Sequence, residues 1–132
     1  MQRRIEAFMT LADEEFSAAR KLHSALPRQA LYFLQQCVEK LIRACLEAAE
    51  IPAGTGHNIS FLAGLLPEEH ALRARFREFE HLSAASTRYR YPSGTGAIYQ
   101  VPADEATKSL AEVSVLRDEV NKFLHSRAGA RR

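Results

Sequence analysis

Residues 28–50 read RQALYFLQQCVEKLIRACLEAAE, and the spacing within this stretch decides the fold. Leu31, Leu34, Val38, Leu41 and Cys45 recur at three- and four-residue steps, the period of one face of an α-helix. Gln36, Glu39, Lys40, Arg43 and Glu47 fall on the opposite, polar stripe. Pro27 suits the first turn of this helix, since its missing N–H has no partner there anyway. Ile51-Pro52-Ala53-Gly54-Thr55-Gly56 closes the segment as a loop.

The same period extends in both directions. Upstream, Ile5, Phe8, Met9, Ala12, Phe16, Ala19 and Leu22 predict a first amphipathic helix, ended by Leu26-Pro27. Downstream, Ile59 to Leu66 predicts a short helix stopped by Pro67. A third long helix is expected from near Glu68 to about Ser86. Its two leading carboxylates would suit the helix dipole, with Leu72, Phe76, Phe79 and Leu82 inward and the small residues Ser83, Ala84, Ala85 and Ser86 at its end. Residues 88–102 are irregular. A last helix is expected from about Pro102, with Asp104 as N-cap, to about Ser126; Leu110, Val113, Leu116, Val120, Phe123 and Leu124 face inward. No segment alternates long enough for a strand. The expectation is an all-α antiparallel bundle of four long helices plus a short one.

Length and composition agree. With 132 residues the chain makes a single domain, 1–132, ending in a small basic tail at 127–132 that is expected to be flexible. Hydrophobic residues make up 46% and charged residues 26%, an ordinary soluble balance. No apolar run approaches the ~20 residues of a membrane span. The opening Met1-Gln2-Arg3-Arg4-Ile5-Glu6 lacks the apolar stretch of a signal peptide, so a cytoplasmic protein that makes no membrane contact is expected. A net charge of +2 does not mark a nucleic-acid binder by itself, because the placement of charge matters more than its total. Cys37 and Cys45 share a helix face about 12 Å apart along the axis, beyond the ~7 Å reach of a disulfide. They read as buried thiols.

Three segments hold the candidate chemistry. Gln36, Lys40 and Arg43 share one stripe, with Glu39 placed to pair with Arg43. That stripe is either a solvated face or one that meets a second protomer or phosphate. His57, in Thr55-Gly56-His57-Asn58, either fastens its loop to a helix by hydrogen bonds or does acid–base work; Asn58 suits an N-cap. In Arg88-Tyr89-Arg90-Tyr91-Pro92 an extended backbone would put the arginines on one side and the tyrosines on the other. Arginine forks suit phosphate and tyrosines suit base stacking; equally, the tyrosines could bury and the arginines pair with acids. No phosphate loop, dinucleotide fingerprint or nucleophile elbow is present. Glu78 and His81 form a single Glu-x-x-His, which falls short of the paired motifs of a di-metal bundle. No metal or other cofactor is expected.

Gln35-Gln36-Cys37-Val38-Glu39-Lys40, the Thr55–Asn58 loop and the arginine–tyrosine segment, in that order and in so short a chain, resemble the HEPN domain family over Ile5 to Phe123. The resemblance implies a helical homodimer with its cleft near the junction, and often a separate minimal nucleotidyltransferase as partner in a toxin–antitoxin-like pair. Some relatives are metal-independent ribonucleases that use an arginine, a polar residue next to it and a following histidine. Only Arg75 and His81 meet that spacing here. Phe76 follows Arg75 where a polar residue belongs, and six regular helical steps would leave the two side chains about 120° apart. His57 with Arg90, brought together by folding, is the other pair considered. The reading that results is a non-catalytic nucleotide- or RNA-phosphate-binding module. Arg88, Arg90 and Tyr91 would be its ligand contacts, joined by Lys40, Arg43 and Gln36. The alternatives are a ribonuclease toxin and a purely structural interaction protein.

Overall fold

A computed structural model describes residues 2–130, with side chains to Arg127. The chain folds as α1 (Arg3–Leu22), α2 (Pro27–Ala48), α3 (Ile59–Gly64), α4 (Arg73–Arg77), a 3-10 helix (Glu80–Ser86) and α5 (Ala103–Ala130). Among the described residues there is no strand. The all-α class matches the sequence expectation.

Helix α2 is the spine. It packs on α1, α5, α3 and the 3-10 helix. Its five expected core positions are all buried. Ala12, Ala19, Ala30 and Ala44 are fully buried too, and such small side chains let helices approach closely. Two ion pairs, Arg4–Glu47 and Lys40–Glu15, fix α1 antiparallel to α2. Asp13–Arg117 and the His23–Thr107 hydrogen bond fix α1 antiparallel to α5. Cys37 and Cys45 are buried and unpaired with each other. Burial pushes both thiols up to about 12, so neither is reactive at neutral pH.

The region expected as a third long helix is broken. Residues 67–72 form no helix, α4 has five residues, and beyond a turn at Glu78 and Phe79 the seven residues Glu80–Ser86 form a 3-10 helix. His70 causes part of the break: its Nδ1 accepts the Leu72 N–H at 3.1 Å. A side-chain acceptor there competes with the helical ladder. Leu72, Phe76, Phe79 and Leu82 still point inward, joined by Ala85. Their steps tighten from four to three, which is the period of a 3-10 helix. Glu68 and Glu69 therefore lie in a turn and not at a helix start.

Two boundaries also move. Asp104 lies inside the first turn of α5 and does not precede it. The helix continues past Ser126 to Ala130, through the first part of the expected tail; Arg131 and Arg132 lie outside the described residues. Among the described residues no helix is long and apolar enough to cross a membrane.

Candidate functional site: two loops on one helix face

Arg28, Tyr32, Gln36, Glu39 and Arg43 lie on one stripe of α2 at steps of three and four, with Gln35 beside it. Two loops are fastened to this stripe, and they carry His57, Arg88, Arg90 and Tyr91.

The first is the loop before α3. Glu39 is 3% exposed and accepts on both carboxylate oxygens. Arg43 Nε donates to Oε2 at 3.1 Å, and His57 Nδ1 lies 2.9 Å from Oε1. The Arg43 fork then donates to the Gly54 carbonyl at 2.9 Å and the Gly56 carbonyl at 2.6 Å. Buried Gln35 donates to the His57 carbonyl at 2.9 Å. Its Oε1 accepts from Gln36, whose own Oε1 accepts from Lys40 at 3.4 Å. Lys40 pairs with Glu15 at 3.0 Å. Burial raises the Glu15 carboxyl above its usual range, and Lys40 opposes that rise.

A continuous hydrogen-bonded chain thus runs from Glu15 to Gly54. It uses Gln36, Lys40 and Arg43, three of the six candidates expected to meet a ligand. Their polar groups are turned to neighbours within the chain, and the polar face of α2 is covered by its own loop. His57 fastens that loop, as one of the two readings held. Its ring is nonetheless 65% exposed. A carboxylate oxygen only accepts a hydrogen bond, so Nδ1 is the donor of this contact.

Asn58 caps α3, its Oδ1 accepting from the Phe61 N–H at 2.8 Å. Glu80 ties this loop to the 3-10 helix. It accepts from Asn58 at 2.9 Å and from the Ser60 N–H at 2.6 Å.

The second loop follows the 3-10 helix. The Tyr89 and Arg90 N–H groups bond back to the Ala84 and Thr87 carbonyls, giving a turn and not the extended strand expected. The tyrosines consequently diverge: Tyr89 is buried while Tyr91 is 63% exposed. Arg28 Nη1 holds the Tyr89 carbonyl at 2.9 Å. Tyr89 stacks on Tyr99 with ring centroids 4.3 Å apart, and burial, aided by the Tyr99 hydroxyl, raises its pKa. Ser93 closes the intervening turn, its Oγ accepting from Ala97 N at 3.0 Å. Gly96, at φ +83°, supplies the left-handed backbone this turn needs.

Among the described residues neither Arg88 nor Arg90 pairs with a carboxylate. Both lie over aromatic rings instead. Arg88 is 5.5 Å from the centre of Tyr99, and Arg90 is 4.7 Å from Tyr32 and 5.6 Å from Tyr91. Arg88, Tyr91, Ile98 and Tyr99 line an open cavity of about 450 Å³. Sequence reasoning missed Tyr32 and Tyr99; four-residue spacing from Tyr32 to Gln36 was the available signal for the first.

Arg75 and His81 do not form a pair. Arg75 is held by Glu119 at 2.9 Å and Glu78 at 3.1 Å. Both residues pack against Phe79, and no hydrogen bond joins them among the described residues. Arg90 and His57 both lie against the α2 stripe, but at Tyr32 and Glu39. Those positions are about 10 Å apart along the axis.

The HEPN domain sequence model matches residues 5–123 of this chain. The chain belongs to the HEPN family. The crystal structure of an archaeal HEPN homologue superposes with a TM-score of 0.62 at 20% identity, covering 93% of this chain and 98% of that one. That likeness speaks for the fold. No curated protein matches this HEPN chain.

Proposed function

We propose that this HEPN protein is a cytoplasmic, non-catalytic module that binds the phosphates of RNA or a nucleotide through Arg88 and Arg90, with Tyr91 stacking on a base. One observation carries the reading: two exposed guanidiniums, free of carboxylates among the described residues, lie over tyrosine rings beside a cavity that exposes Tyr91 and Tyr99. Arginine is more weakly hydrated than lysine and stacks on rings while its donors stay free. A ring and a cation side by side suit a base and its phosphate. Lys40, Arg43 and Gln36 drop out of the ligand set, because each is spent on holding the fold.

The family resemblance adds a homodimer, which would bring two such patches to one assembly, and a minimal nucleotidyltransferase as partner. A protein that sediments as a monomer at micromolar concentration would remove the first of these. Binding is tested by fluorescence anisotropy with a labelled single-stranded RNA across a salt series. Affinity should fall with salt, and Arg88→Ala and Arg90→Ala should each flatten the slope by about one ion where a phosphate contact is lost. Equal binding by the double variant would reject the site. An RNA cleavage assay without metal tests the non-catalytic part. Cleavage abolished by His57→Ala or His81→Ala would replace this reading with the ribonuclease one.

A further inference from the structure

Two side chains of α2 lie behind the second loop. Arg28, in the first turn of the helix, donates from Nη1 to the Tyr89 carbonyl at 2.9 Å. Tyr32, one turn further on, sets its ring 4.7 Å from the Arg90 guanidinium. Phe33 packs edge-on against that ring, with centroids 5.5 Å apart, and so steadies it. Arg28 and Tyr32 are half-buried, while every residue from Arg90 to Gln100 is exposed.

The loop has little of its own to hold it. Main-chain bonds to Ala84 and Thr87 shape the turn, and the stack of Tyr89 on Tyr99 joins its two ends. Neither reaches α2. The Arg28 bond does, and through the stack it also fixes Tyr99, the cavity wall over which Arg88 lies.

Arg28 is badly placed to stabilise its own helix. A cation in the first turn opposes the helix dipole, and α2 has no acidic residue there to offset it. Among the described residues Arg28 pairs with no carboxylate. Local mismatches of this kind gather at functional sites. A loop already held in its binding form is spared the ordering of its side chains on association, a cost of about two- to tenfold in affinity for each long side chain.

We infer that Arg28 and Tyr32 are positioning residues, which hold Arg88, Arg90 and Tyr91 ready for the ligand without touching it. The inference rests on the phosphate-binding reading above.

The test joins two measurements on the full chain: amide hydrogen exchange across residues 88–91 without ligand, and anisotropy with labelled single-stranded RNA across a salt series. Arg28→Ala should speed exchange at Tyr89 and Arg90 and weaken binding about two- to tenfold. It should keep the parent's salt slope, because no phosphate contact is lost. Arg28→Lys keeps the charge and a donor, and its affinity should follow whatever loop protection it restores. Tyr32→Phe keeps the ring and should match the parent, while Tyr32→Leu should weaken binding about two- to tenfold. A slope flattened by about one ion in Arg28→Ala would make Arg28 a phosphate contact and overturn the inference. Parent affinity in both Arg28→Ala and Tyr32→Leu would overturn it too, as would lost affinity in a loop as protected as the parent's. Each of these leaves the phosphate site standing. Failure of the parent to bind RNA overturns both.

Discussion

The loop before α3 and the loop before α5 lie against the same face of α2, yet their arginines are used in different ways. Arg43 is half-buried and spends its donors on Glu39, Gly54 and Gly56. Arg88 and Arg90 are exposed and rest on tyrosine faces. A guanidinium enclosed by acceptors holds a fold together, because removing its partner leaves a charge out of water. A guanidinium laid on a ring has lost little of its hydrogen-bonding capacity. Residue type alone would have put all three in one ligand site; their partners separate them.

The largest effect that follows from this contrast is on stability. Glu39→Ala leaves Arg43 and His57 without their shared acceptor in a buried position. Breaking such a pair costs about 3–5 kcal/mol, to be read from urea denaturation midpoints. A loss below about 1 kcal/mol, the range of exposed pairs, would mean that the first loop is no more tightly held than the second. Thiol labelling sharpens the outcome. Cys37 and Cys45 are enclosed among the helices and titrate at about 12. They should stay unreactive in the folded variant, where the loop has been released but the core has not opened.

A smaller effect should appear in binding and not in stability. Tyr91→Ala removes an exposed ring that packs little of the core. Single-stranded RNA affinity should drop by about 1–3 kcal/mol, while the unfolding free energy stays within about 0.5 kcal/mol of the parent. The reverse pattern, a stability loss with unchanged affinity, would make the second loop a structural element like the first.

The sequence exposed the helices more fully than the site. Apolar spacing alone locates α1, α2 and α5, because a helix must bury one face whatever covers it. The broken third helix was also visible, in the shift to three-residue steps through Phe76, Phe79, Leu82 and Ala85; reading those steps as a continuous α-helix missed it. The cover over the polar stripe of α2 was less legible. Amphipathic spacing says that Glu39 and Arg43 face away from the apolar core. It does not say that a loop 11 to 18 residues later returns to lie on them. The divergence of Tyr89 and Tyr91 depends on a turn closed by main-chain bonds to Ala84 and Thr87, which an extended reading of alternating residues excludes.

The smallest expected effect is the most direct check of the contrast. Arg90→Ala deletes two ring contacts and no ion pair. Exposed cation–π contacts contribute about 0.5–1 kcal/mol, so the unfolding free energy should fall by no more than that. Arg43→Ala, by comparison, removes one buried ion pair and two carbonyl anchors, and should cost severalfold more in the same urea titration. The two variants delete the same kind of side chain, each lying on the same face of α2, so chain entropy and lost charge largely cancel between them. What remains is the difference between an arginine enclosed by acceptors and one resting on rings. Equal losses would show that Arg90 holds the fold no less firmly than Arg43, leaving Arg88 as the one guanidinium of the second loop available to a phosphate.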